Sequence, residues 1–504
     1  MAIGWLLAAA AAWGSGFLPS EQPSSPHSAL VIVVDGLRPD YVTPTLMPRL
    51  VRLAERGIVF RAHHAVYPTV TRVNAATFAT GVYPEAHGLL GNTVYVPAVN
   101  PTRTLDTGSR ANLEAIAQAE GRLLTAPSLG EILPRAGKTL LAVGAGTSGA
   151  AFLLNHTVGT GAIVHPEFTR PADLGALVLE TLGAAPPQAM PNAAQNRYAV
   201  DAYLKLGLER IHPDLTMMWI SDPDHTAHAN GIGSEMTSRA LTLADAEIGR
   251  VEDALRAKGL LDRTNLVVVS DHGFSTHTGA FRLQAFVEPF ARPLPDGSSD
   301  LVVAEGAIYL RGGHDADRVA AMVAALQKRP EVGAVLTRPG PRRGAEGVVP
   351  GTLSFDVVRW NHARSGDILV SANWTDDVNA AGYAGTTGQS GAAGHGATSP
   401  HDIHAVLLAA GPDFRRQAAS DVPTGNVDLA PTLLRLLGLP VPETLSGRVI
   451  EEAFANGPAP SSLRIERSSE TVRTRDGGYV LTAHFSGVAG HRYLDDTEVA
   501  RPPR

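Results

Sequence analysis

The sequence predicts an α/β fold: a central, mostly parallel sheet flanked by helices, with a smaller α+β lobe inserted in its second half. Three observations predict it. Short, continuous apolar runs alternate with amphipathic helical stretches, the pattern of a sheet covered on both faces. Three of the apolar runs end in aspartate. Between Leu283 and Trp374 the texture changes to shorter strands and one helix among Pro- and Gly-rich connectors.

Residues 1–28 read as a segment apart from the fold. Ala2–Leu18 is apolar and small, and a polar Pro/Ser stretch, Pro19–Ser28, follows it. The run is Gly-broken and short of the about 20 apolar residues that a membrane span needs. It reads as a secretory signal followed by a flexible N-terminus, although no Lys or Arg precedes it, with a retained anchor as the other reading. The protein is then exported, to a periplasm or beyond the cell. No other stretch of the sequence is long and apolar enough to span a bilayer.

The core is expected over residues 29–282 and 375–504. Its strands are predicted at Ala29–Gly36, Thr139–Gly146, Leu215–Asp222, Asn265–Gly273 and His404–Gly411, and helices at Met47–Arg56, Asn196–Gly207 and Ser238–Ala257. Residues 283–374 form the inserted lobe, where 302–310, 315–329 and 332–338 read strand, helix, strand. Ala380–Ser399 reads as a long Gly/Ala/Ser/Thr loop. Val472–Val499 reads as short strands joined by turns at Asp476-Gly477-Gly478 and Gly487–Gly490.

Composition excludes several classes of function. The 504 residues contain no Cys, so disulfides, thiolate zinc sites and a cysteine nucleophile are ruled out. Basic residues number 42 against 49 acidic, and they are scattered, so no nucleic-acid-binding surface is evident.

The chemistry gathers at the strand ends. Asp35 follows VIVV, Asp222 and Asp224 follow MMWI, and Asp271 follows VVVS. In an open α/β sheet, ligands bind beyond the carboxyl ends of the strands. Carboxylates converging there repel one another unless a cation sits among them. A single Asp after a strand is an ordinary turn former; the neighbouring histidines change that reading. Asp271 is followed by His272, and Asp224 lies four residues before His228, as on one helical turn. His225, one residue from Asp224, should point elsewhere. His395 stands between glycines in the small-residue loop. Oxygen and imidazole donors without thiolate suit zinc, or less selectively manganese or iron.

The remaining motifs carry a resemblance. VDG with Asp35, YPTVTRVN with Thr71, TGVYPEAHG, and GN with Asn92 are similar to the nucleotide pyrophosphatase/phosphodiesterase branch of the alkaline phosphatase superfamily. So are SDPDHTAH, SDHG, GHG before AAGPDF, and NVDLAPTLLRLLG near Asn426, in order from about Leu30 to Leu437. The resemblance implies an alkaline phosphatase-like fold and two Zn²⁺. One zinc would be held by Asp35, Asp271, His272 and the Thr71 oxygen, the other by Asp224, His228 and His395. Thr71 would be the nucleophile, and Asn92 would donate a hydrogen bond to a non-bridging phosphate oxygen. His401 and His404 also lie near, but the family's ligand is the histidine of His-Gly, which is His395. The stretch after the nucleophile departs from the family's Phe-Pro-Asn-His, being Arg72-Val73-Asn74-Ala75 here.

The implied reaction is hydrolysis of phosphodiester or phosphoanhydride bonds through a phosphothreonine, on a small-molecule phosphodiester or nucleotide. Charge supports it: two Zn²⁺ set against three aspartates leave one positive charge, which a Thr71 alkoxide neutralises. Monoesterases of the superfamily add a Lys and an Arg to hold a dianion, and no Lys or Arg occurs between Lys138 and Arg170. The alternatives are a phosphonate (C–P) hydrolase or phosphomonoesterase on the same site. A non-enzymatic alternative is an inactive metal-binding envelope protein. Of the other residues, Met217, Met218 and Trp219 read as core, and His63, His64, His87 and His277 as structural. Arg72 reads as structural or as a contact for a substrate anion. Phe274 and Trp374 are candidates for a leaving-group pocket.

Overall fold

Side chains alternate across a strand, and that alternation explains the continuous apolar runs. The computed structural model describes residues 27–502 except 314, 342 and 343, so the predicted signal segment lies outside the described residues. In the strand Ser28–Val34, Ala29, Val31 and Val33 enter one hydrophobic layer, and Leu30, Ile32 and Val34 enter another. The strands Leu215–Ile220, Thr264–Val269 and His404–Ala410 divide between the same two layers. Each Val, Leu, Ile or Met side chain among them, once buried, contributes about 1.5–3 kcal/mol. Both faces of the sheet must therefore be covered.

The main sheet has ten strands. Its order is Ala418–Ser420, Ile58–His64, His404–Ala410, Thr264–Val269, Ser28–Val34, Leu215–Ile220, Leu140–Gly144, Ala162–His165 and Phe168–Arg170, with Thr424–Gly425 added beside Ile58–His64. Pairing is parallel from Thr264–Val269 through Ala162–His165, whereas His404–Ala410 runs antiparallel to both neighbours. Val33 lies opposite both Trp219 and Val269. That register brings Asp35 level with Asp271 and with Ser221, three residues before Asp224.

Helices Pro48–Arg56 and Glu235–Ala257 stand where the sequence predicts them. The segment expected at Asn196–Gly207 is longer: an α-helix, Ala193–Asp201, runs on as a π-helix to Ile211.

Three stretches differ from expectation. The anticipated strand over 302–310 is a hairpin, Leu301–Ala304 and Ala307–Leu310, turned at Glu305-Gly306. It belongs to a five-stranded sheet with Val332–Thr337, Leu353–Ser354 and Ile368–Ala372, packed with helix Ala316–Leu326. The expected loop Ala380–Ser399 contains strands Ala384–Gln389 and Ala393–Gly394, which pair with Ser275–Phe281. Their Gly and Thr residues carry no apolar alternation, so only backbone pairing reveals them. The C-terminal strands are long, Ile465–Arg473, Val480–Val488 and His491–Ala500. Their exposed polar face hides the alternation. The Tyr479 hydroxyl, which donates to the Gly333 carbonyl at 2.6 Å, ties this sheet to the lobe's sheet.

Candidate metal centre and nucleophile

The three central strands end together, and each delivers one carboxylate. Asp35 follows Val34 directly, and the chain then turns at Gly36 with φ +67°. A Cβ at Gly36 would lie 3.0 Å from Asp224 Cβ and 3.1 Å from the Phe274 ring, so the turn has no room for a side chain. Asp224 begins the short helix Asp224–Asn230, which carries His228 one turn later. Asp271 and His272 follow Thr264–Val269, and His395 follows the strand Ala393–Gly394. Thr71 opens the helix Thr71–Thr80, in which every residue but Arg72 is buried. That N-terminus turns the positive end of a helix dipole toward the site.

The side chains form two groups. The donor atoms of Asp35, Asp271 and His272 all lie within 4.8 Å of one another, and so do those of Asp224, His228 and His395. In the first, His272 Nε2 is 3.0 Å from Asp271 Oδ2 and 3.5 Å from Asp35 Oδ1. In the second, His228 Nε2 and His395 Nε2 are each 3.2 Å from Asp224 Oδ1. The rings of His272 and His395 stack with centroids 3.5 Å apart, so the two groups are adjacent. Thr71 Oγ1 lies 3.3 Å from His272 Nε2.

The hydrogen bonds around the groups fit a metal. Nδ1 of His228, His272 and His395 faces the carbonyls of Ala393, Gly273 and Thr69, at 3.2, 2.9 and 2.8 Å. Nδ1 therefore carries the proton and Nε2 presents its lone pair inward. Asp35 Oδ2 accepts from Trp219 Nε1 at 2.9 Å, and Asp271 Oδ1 accepts from the Gly36 N–H at 3.0 Å. The opposite oxygens, Asp35 Oδ1 and Asp271 Oδ2, together with Asp224 Oδ1, are buried without a hydrogen-bond partner. Lone pairs facing lone pairs at these distances are repulsive until a cation joins them. Six oxygen and nitrogen donors with no sulfur suit zinc, manganese or iron.

Electrostatics show the buried carboxylates drawing positive charge: against the effect of burial, Asp224 raises His228, and Asp271 with Asp224 raises His272, above the usual imidazole range. Burial, reinforced by Asp224 and Asp271, raises the Asp35 carboxyl well above its usual range. Burial also acts to raise Asp224, but His228 and His395 outweigh it and hold that carboxyl low. Burial, with His272 beside it, pushes His395 down to about 4, so its ring is neutral.

The structure brings Asp35, Thr71, Asp224, His228, Asp271, His272 and His395 together. Asn92 lies beside the start of the Thr71 helix: its Oδ1 accepts the Arg72 N–H at 3.0 Å, which leaves its NH2 as a donor. Asp222 stands apart from the two groups, its carboxylate taken by Thr226, Asn192 and Asn196. His225 points to Gln188, and His401 pairs with Asp376. His63, His64 and His87 hold structural hydrogen bonds. Phe274 is fully buried, with its ring 4.9 Å from His228 and 5.3 Å from His395, so it buttresses the histidines. Trp374 is tied to the Thr497 carbonyl.

Two supporting residues escape the reading of the sequence. Trp219, assigned to the core, also orients Asp35, a role its place opposite Val33 would have disclosed had the register been known. Glu305, at the lobe's hairpin turn, accepts the Thr93 N–H next to Asn92 at 2.9 Å. It had no signal in the sequence, because the hairpin itself was not foreseen.

Residues 29–395 match the model of the type I phosphodiesterase / nucleotide pyrophosphatase family. The chain belongs to this family. A curated relative, venom phosphodiesterase 2 of Crotalus adamanteus, is 27% identical over 271 residues, which are 53% of this chain and 29% of the relative. The human ectonucleotide pyrophosphatase/phosphodiesterase family member 1 is 26% identical over 246 residues, 48% of this chain and 23% of that protein. The chain thus matches under a third of the length of these type I phosphodiesterase relatives. Among solved structures, murine ectonucleotide pyrophosphatase/phosphodiesterase 5 superposes with a TM-score of 0.57 at 20% identity, covering 85% of this chain and all of that one. A mutant of the alkaline phosphatase PafA superposes at 0.65 and 17% identity, covering 86% of this chain and 100% of that one. Both share its fold.

Proposed function

We propose that the protein is a two-metal phosphodiesterase or nucleotide pyrophosphatase that works through a phosphothreonine at Thr71. The observation that carries this reading is the Thr71 hydroxyl, 3.3 Å from His272 Nε2, at the edge of two adjacent donor groups. Zinc ions held by Asp35, Asp271 and His272 on one side and by Asp224, His228 and His395 on the other would acidify the Thr71 hydroxyl and offset the charge of the phosphate. Thr71 Oγ1 bonds to phosphorus as the P–O bond to the leaving group breaks with its electron pair. Water then hydrolyses the phosphothreonine and frees the threonine. Asn92, fixed through the Arg72 N–H, donates its NH2 to a non-bridging oxygen.

The same reading divides the chain into a core, 29–282 and 375–504, and a lobe, 283–374, that borders the substrate. It also places the protein outside the cytoplasm, on the strength of the apolar Ala2–Leu18 run and of relatives named as venom enzymes and ectoenzymes. Among the described residues no helix is long and apolar enough to cross a membrane.

The test compares a chromogenic phosphodiester with the matching monoester on the metal-loaded full chain, with and without chelator. A diester preference abolished by chelator is expected. Thr71→Ala should lower kcat by about 10³ or more while bound metal, measured by mass spectrometry, is retained. Undiminished turnover in that variant would end the nucleophile assignment.

A further inference from the structure

A cavity of about 240 Å³ lies between the core and the lobe and reaches His395 and Gly396. Tyr67 and Pro68, on the approach to Thr71, form part of its core wall, and the lobe adds Leu369 and Val370. Its lining includes two carboxylates, Glu305 and Glu331, and no Lys or Arg among the described residues. Glu331 is paired with Arg329 at 2.7 Å, so its charge is offset. Glu305 is favoured in its charged form by Arg72, which lies outside the lining, so Glu305 is the carboxylate that the cavity itself leaves without a basic neighbour.

Glu305 has two unusual features. It holds φ at +58° in a two-residue turn, a left-handed conformation that strains any residue with a Cβ. Its carboxylate reaches toward the segment that carries Asn92, where Oε2 accepts the Thr93 N–H at 2.9 Å; burial raises the carboxyl above its usual range, and the Thr93 N–H, Arg72 and the Asn92 N–H work against that rise. The residue that faces the cavity therefore also holds the segment carrying Asn92.

We propose that this cavity receives one ester substituent of the phosphodiester, and that Glu305 selects a substituent that is uncharged or cationic over one carrying a further phosphate. The same carboxylate positions Asn92. The inference rests on the phosphodiesterase reading and narrows it, because a carboxylate facing a confined cavity repels a second anion. A diester is thereby preferred to a phosphoanhydride.

The test uses the metal-loaded full chain with 4-nitrophenyl phosphorylcholine, bis(4-nitrophenyl) phosphate and ATP. Both diesters should exceed ATP in kcat/KM by about tenfold or more. Glu305→Gln keeps an acceptor for the Thr93 N–H but removes the charge, and should narrow that ratio about fivefold, chiefly through KM. Glu305→Gly adopts the left-handed turn without strain, so its melting temperature should hold while kcat on both diesters falls about tenfold as Asn92 is released. An unmoved ratio in Glu305→Gln overturns the charge selection, and a wild-type kcat in Glu305→Gly overturns the positioning role. A parent protein that hydrolyses neither diester overturns the phosphodiesterase reading itself and this inference with it.

Discussion

Asp35 is the residue on which most of the site's forces meet. It is buried, repelled by Asp224 and Asp271, and oriented by Trp219. Partners of this kind set metal affinity by holding a ligand at the right angle. Trp219→Phe, which removes only the N–H and one ring, should weaken metal binding about 10- to 100-fold in a chelator competition. Unchanged affinity would make Trp219 a packing residue alone. A second test concerns His87, which burial and the nearby His362 and Arg364 push down to about 3. As pH falls below the unfolded value near 6.5, the unfolded chain takes up that proton first. Stability present above 6.5 is then lost toward pH 3, about 2 kcal/mol of it by pH 5. His87→Gln should flatten the pH slope of the denaturation midpoint between 6.5 and 4, and an identical slope would assign the acid sensitivity elsewhere.

At the scale of elements, the site depends on where strands stop. Val33 opposite Trp219 and Val269 puts three strand ends at one height, and the turn at Gly36 returns the chain without obstructing Asp224. Gly36→Ala places a Cβ against Asp224 Cβ and the Phe274 ring at a left-handed φ. It should cost about 1–3 kcal/mol and lower the affinity of the Asp224 group for metal. Wild-type stability and metal content in that variant would show that the turn has slack. The apolar strands and the helix at Pro48–Arg56 were legible because burial writes a pattern into sequence. The strands Ala384–Gln389 and Ala393–Gly394 were not, since their pairing uses backbone groups that every residue possesses.

For the molecule as a whole, the two donor groups join distant parts of the chain. Asp35, Asp224, Asp271 and His395 come from four separate stretches, so ions bound there favour only the folded state. Removing metal by chelation should therefore lower the melting temperature, by an amount that grows with the free metal concentration of the reference sample. A melting temperature indifferent to chelator and added zinc would argue against tight binding in the folded protein. The cavity by His395 is likewise a property of the whole, because its walls come from stretches as distant as Tyr67, Glu305 and His395.

The sequence by itself determined the α/β class, the apolar strands and the family motifs, and through those motifs the expectation that Asp35, Thr71, Asp224, His228, Asp271, His272 and His395 share one site. The class and the strands follow from residue type and spacing, which burial restricts, and the shared site follows from the resemblance those motifs carry. Only the tertiary structure decided that Asp222 serves Thr226, Asn192 and Asn196, that Phe274 backs the histidines and that Trp219 steers Asp35. It alone placed Glu305 against Thr93, the residue after Asn92. The physical reason is direction: a sequence gives the donors, but strand register and chain turns decide which atoms their lone pairs and N–H bonds face.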